Sequence, residues 1–179
     1  VNTLPLLRWQ FDVSWSLTEL NLEKLTDEEC VWEPAPGSWS VRPRPDGTWS
    51  ADWAMPEPDP APMTSVGWVM WHVGFWWDHA YSHTFGDAYT SGKTLDFAES
   101  AAVTPWPGDA EAGVAWLTAC RQRWIEALDS LTDDDLDATS RSDWFAGGGL
   151  PLGHVLAWVN IELMKNAGEI GLLRRLRTA

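Results

Sequence analysis

Cysteine is nearly missing from this chain: Cys30 and Cys120 are the two in 179 residues. They lie far apart and form neither a C-x-x-C nor any metal-ligating spacing, so they read as free thiols in a reducing compartment. Basic residues are also scarce, with 12 Lys and Arg against 26 Asp and Glu and a formal net charge of -14. Affinity for nucleic acid comes largely from neutralising phosphates, so this balance argues against nucleic-acid binding and against docking on anionic membranes. No stretch approaches the roughly 18 consecutive apolar residues of a transmembrane helix. The opening VNTLPLLRWQFDVSW lacks a basic region followed by an apolar run, so no signal peptide is expected. The expectation is one soluble, cytoplasmic domain spanning 1–179. Tyr and Phe are few, at 2 and 5, beside 15 Trp. That bias points to buried aromatic packing, to a pocket lined by large flat rings, or to both.

Four segments carry helical spacing. In 4–25, Leu4, Leu7, Phe11, Trp15, Thr18, Leu22 and Leu25 form one stripe. The string LTDEEC follows, where Thr26 can cap a short turn led by acidic residues. In 63–84, Thr64 or Ser65 suits an N-cap, and Trp68, His72, Phe75, Trp76, His79 and His83 recur at helical steps. Asp109 and Ala110 open a third helix to about 130, with Val114, Leu117, Trp124, Ile125 and Leu128 on its apolar side, and LTDDDL after it echoes LTDEEC. Pro151 begins the fourth, running to about 176. Its middle, VLAWVNIELM, is apolar nearly all round, which predicts a buried helix. Segments 86–107 and 139–150 read as irregular loops, and no run shows strand alternation. The prediction is an all-α four-helix bundle.

Residues 33–62 differ in kind. They hold eight of the twelve prolines, plus Trp39, Trp49 and Trp53. Proline forbids helix interiors, and three tryptophans argue against disorder. This reads as an ordered loop across one end of the bundle, with the three indoles either roofing a pocket or sealing the end as core.

Glu162 shares a stripe with Val155, Val159, Asn166, Ile170 and Leu173. A carboxylate facing a bundle core is costly unless it is paired, hydrogen-bonded or bound to metal. Asn166 lies one turn on. If the second and fourth helices face each other, His72, Glu162 and Asn166 converge. They then form either a buried His72–Glu162 pair or a site for a divalent metal such as Zn or Ni. His79 can support His72 from two turns away. With His83 it forms an i,i+4 pair that reads as solvated, and His154 reads as a polar contact to its preceding loop. Nucleophilic catalysis finds no G-x-S-x-G and no Ser or Cys beside a base; Cys120 reads as a buried, inert thiol.

Three segments, WEPAPGSWSVRPR (32–44), PEPDPAPMTSVGWVMWHVG (56–74) and WVNIELMKNAGEIGLLRRL (158–176), taken in order and spacing, resemble the DinB/YfiT-like four-helix bundles, particularly actinobacterial members. The resemblance implies an up-down-down-up bundle, often a homodimer. In many members it implies a divalent metal held by a histidine on helix two and an E-x-x-x-H or H-x-x-x-H pair on helix four. His72 and Glu162 match two of those ligands. Asn166 stands where histidine is the pattern, and Lys165 occupies the neighbouring position, which weakens the implied site. Some relatives are metal-dependent transferases or isomerases that use low-molecular-weight thiols such as mycothiol or bacillithiol. Three functions follow as expectations. The favoured one is a bundle of unassigned activity with a degenerate metal site and a small-molecule pocket under the loop, lined by Trp39, Trp49, Trp53, Trp76 and His79. The others are a thiol transferase or isomerase and a non-catalytic homodimer.

Overall fold

The computed structural model describes residues 2–179, and four long helices carry its fold. They are α1 (Thr3–Leu22), α3 (Val66–Thr84), α6 (Ala110–Asp129) and α7 (Leu152–Thr178). Short elements fill the connections: α2 (Asp27–Val31), β1 (Val41–Pro43), β2 (Trp49–Ala51), α4 (Asp87–Ser91), α5 (Phe97–Val103) and a 3₁₀ turn, Asp133–Asp137. No helix among the described residues is long and apolar enough to cross a membrane.

Caps set the helix starts. Ser65 Oγ accepts the Trp68 amide at the head of α3, and Asp109 accepts the Ala112 amide at the head of α6. The first LTD string closes as a reciprocal capping box, Thr26 with Glu29, and at the second Thr132 donates its amide and its hydroxyl to the Asp135 carboxylate. The first helix stops at Leu22, short of Leu25, because Lys24 takes a positive φ of 56°. Its stripe is the buried one: Leu7, Phe11, Trp15, Thr18 and Leu22 face inward. Phe11 and Trp15 meet the Trp77 ring of α3 at 5.5 and 6.0 Å. Aromatic rings also pack directly on two helical glycines, Gly74 of α3 and Gly113 of α6. A Cβ added at Gly74 would stand 2.3 Å from the Trp116 ring, and one at Gly113 would stand 2.4 Å from Trp106. Glycine is therefore required at both positions.

The structure corrects three local expectations. Residues 41–51 form a small antiparallel hairpin, Val41 opposite Ala51 and Pro43 opposite Trp49, where no strand was expected. Three-residue strands are too short to show alternation; the visible signal was the Asp46-Gly47 turn, with Gly47 at φ 83°. The 86–107 stretch holds two short helices, the second capped by Asp96. At five and seven residues they carry no readable period. The middle of α7 is not buried all round, since Ile161 is 65 % exposed and Met164 is exposed as well.

The proline-rich 33–62 loop is held by hydrogen bonds as much as by packing. Trp39 donates its amide to the Met63 carbonyl and accepts from the Ser65 amide. The Trp68 indole donates to the Asp52 carbonyl at 2.7 Å, and Arg42 pairs with both Asp52 and Glu33.

Candidate functional site

Helix α3 presents His72, Trp76, His79 and His83 along one face, spaced three or four residues apart so that each lies above the last. Helix α7 brings Trp158, Glu162 and Lys165 to the opposite wall. Two connections close the space between them: Thr94–Phe97, and the Trp144-Phe145-Ala146 part of the loop before α7. The open cavity between them measures about 720 Å³, within the ordinary range for small-molecule sites.

Its walls are fixed by specific bonds. The Trp144 indole donates to Thr84 Oγ1 and to the Arg141 carbonyl, while Arg141 donates to the Thr84 carbonyl. His83 uses both ring nitrogens: Nε2 accepts the Leu95 amide at 3.0 Å, so Nδ1 carries the proton and donates to the His79 carbonyl. His79 and His83 are therefore buried, with ring centroids 4.4 Å apart, and not the solvated pair expected. Their place under the 94–97 connection, 12 residues downstream of His83, was not visible in helical spacing. His154 is exposed in the first turn of α7.

His72 accepts a hydrogen bond at Nε2 from the Trp76 indole at 2.9 Å, and its ring stacks on Trp68 at 5.0 Å. Nδ1 then carries the proton, and it is buried without a partner. Burial pushes the imidazole down to about 4, and the Lys165 ammonium pushes it the same way. His79 is pushed down to about 4 by burial first and by His83 second, against the opposing charge of Asp96. Both rings are neutral at pH 7.

Glu162 is partly buried and pairs with Lys165 at 2.6 Å, one helical turn along α7. The two expected partners, His72 and Glu162, thus each bond a neighbour on their own helix. Asn166 is buried and does not line the cavity.

These contacts test the implied metal. The one imidazole nitrogen of His72 free of a proton is taken by an indole N–H, the carboxylate is neutralised by an ammonium, and the third position is an amide. Among the described residues no three His, Cys, Asp or Glu side chains gather. The donors present do not fit a divalent ion held by three protein ligands.

The three loop tryptophans separate. Trp39 and Trp53 line a smaller cavity of about 240 Å³ whose far wall is His72, Trp76 and Phe97. Those three side chains line the large cavity too, so they form the partition between the two. Trp49 lies elsewhere, in a cleft with Asp27, Cys30, Trp106 and Asp109. The side chains that sequence reasoning missed are Phe97, Trp144, Phe145 and Trp158. The only sequence signal for the Trp144-Phe145 wall was the adjacent Gly147-Gly148-Gly149, all at positive φ, where the chain turns tightly. Both cysteines are buried and free, their thiols pushed up to about 12 by burial first, which leaves them without nucleophilic character.

A family model described as the DinB superfamily matches residues 10–170, most of the chain. No curated protein and no solved structure matches it.

Proposed function

The chain belongs to the DinB superfamily, and on that scaffold we propose that it is a small-molecule-binding bundle whose ligand occupies the cavity between α3 and α7 without a bound metal. The carrying observation is the cavity itself, about 720 Å³ and lined by Trp76, Phe97, Trp144, Phe145 and Trp158 around one Glu162–Lys165 pair. Binding sites commonly combine an apolar aromatic wall with a few placed polar groups. A metal-dependent thiol transferase draws less support. Its metal would need His72 and Glu162 as ligands, and both are otherwise engaged.

Nitrobenzene, a neutral aromatic quencher, provides the test. Saturable quenching of tryptophan emission is expected, lost in Trp158→Ala and kept in Trp9→Ala. Zinc, nickel or a chelator should leave the titration unchanged. Linear quenching without saturation, or quenching that appears only after zinc or nickel is added, would overturn the proposal.

A specific surface supports homodimerisation as well. Leu6, Trp9, Leu17 and Leu20 of α1 and Ile161, Met164, Leu172 and Leu176 of α7 are exposed, Trp9 by 62 % and Leu20 by 64 %. A groove of about 420 Å³ runs between the two helices at Trp9, Val13, Ile161 and Met164. Exposed apolar side chains gathered on two neighbouring helices favour an interaction face. Light scattering is expected to give twice the 20.1 kDa chain mass, and the pair Trp9→Glu and Ile161→Asp is expected to give the monomer with its helicity intact. A native protein that stays monomeric at high micromolar concentration would refute the dimer.

A further inference from the structure

The cavity walls say more about the ligand than that it is apolar. Trp76 and Trp158 stand 5.2 Å apart at 77°, and Trp144 and Trp158 stand 6.4 Å apart at 73°. A flat ring stacked on one of these indoles meets the next one edge-on. A rounded head can touch several faces at once. Two of the three indoles have already spent their N–H groups inside the protein, Trp76 on His72 and Trp144 on Thr84 and Arg141. They offer the ligand π faces and no donors.

The charges point the same way. The ionised groups lining the cavity are the carboxylates of Asp96 and Glu162 and the ammonium of Lys165. One negative charge is in excess, within a chain of net charge -14. Lys165 is 54 % exposed along its side chain and so stands at the rim, free to swing towards water. An anion would find one ammonium already paired with Glu162. A cation would find aromatic faces, the Asp96 carboxylate that caps α5 and the Glu162 carboxylate once Lys165 releases it, the combination that recognises alkylated ammonium groups.

Building on the cavity reading above, we propose that the ligand carries a substituted ammonium head, held among Trp76, Trp144 and Trp158 with Glu162 as its counter-charge. Lys165 occupies that counter-charge in the free protein and gives it up when the ligand enters.

Three probes of similar size separate this proposal from simple apolar binding: phenyltrimethylammonium, its uncharged isostere tert-butylbenzene, and benzoate. Calorimetry on the full chain is expected to show the cation binding about tenfold more tightly than the isostere, with benzoate weakest. Lys165→Met should tighten the cation several-fold and leave the isostere unchanged, and Glu162→Gln should weaken the cation alone. Both side chains reach solvent, so the fold does not rest on them, and the three-probe comparison on the native protein stands without either variant. If the isostere binds as well as the cation, or benzoate binds best, the ammonium proposal fails while nitrobenzene binding keeps the cavity reading intact. If neither nitrobenzene nor any of the three probes binds, both readings fall together.

Discussion

Replacing Trp71 with alanine is expected to destabilise the fold by about 3–5 kcal/mol, the range for deleting a large aromatic from a packed core. Trp71 has no solvent exposure. Its ring lies nearly parallel to Phe75 at 5.4 Å, and the Trp53 ring of the proline-rich loop meets it at 5.8 Å and 61°. Its indole N–H donates to the Thr104 carbonyl at 3.0 Å, beyond the end of α5. One side chain therefore joins α3, the 33–62 loop and the connection leading to α6. Trp71→Phe should cost less, about 1–3 kcal/mol, since it keeps most of the apolar contact but strands the Thr104 carbonyl and leaves a void. Against a total of about 5–15 kcal/mol for a domain of ordinary stability, the alanine variant stands near the threshold of unfolding. Urea denaturation at pH 7 measures both. A cost under about 1 kcal/mol for the alanine variant would mean that this junction does not hold the loop.

The helical frame was legible because its period is local. The α1 stripe and the α3 aromatic face can be read from spacing alone, and caps at Ser65 and Asp109 fix where two of the long helices begin. The cavity was only half legible for the same reason. His72, Trp76 and Glu162 come from long helices. Phe97, Trp144 and Phe145 come from connections whose positions depend on bonds to distant residues, such as His83 to Leu95 and Trp144 to Thr84. No period in a sequence encodes a bond of that kind. The expectation for Glu162 shows the complementary error. It was placed against the core opposite His72, yet Lys165 lay three residues away on the same helix, able to satisfy the carboxylate locally. Glu162 could therefore remain partly exposed at the cavity wall without a partner from α3.

Acidification from pH 7 to pH 5 is expected to remove about 2 kcal/mol of stability or less for each of His72 and His79, near 4 kcal/mol at most for the two. Each imidazole is held down to about 4 in the folded protein, against an ordinary value of about 6.5 in the unfolded chain. The unfolded state therefore binds protons first as pH falls. The contribution is complete above 6.5, declines through the window from 6.5 to 4, and is gone below the folded value. Most Asp and Glu side chains remain ionised down to about pH 5, so the upper part of that window isolates the histidines. Burial is the main reason the rings resist protonation, and charged neighbours act beside it. Lys165 places positive charge near His72, and a proton on its Nε2 would also evict the Trp76 indole N–H. His79 lies against His83, with Asp96 only partly offsetting that neighbour. Urea denaturation at pH 7, 6 and 5 should show the decline in the native protein and a much flatter profile in the double variant His72→Gln and His79→Gln, whose amides do not titrate. Equal stability at pH 7 and pH 5, or an unchanged slope in the double variant, would place the buried neutral imidazoles outside the pH response. The cavity responds later than the stability does, because the folded imidazoles take up protons, and put positive charge on the wall where an ammonium head would bind, only near 4. Cation affinity should therefore hold through the upper part of that window and weaken only as the pH nears 4, whereas nitrobenzene binding should hold until the fold itself is lost.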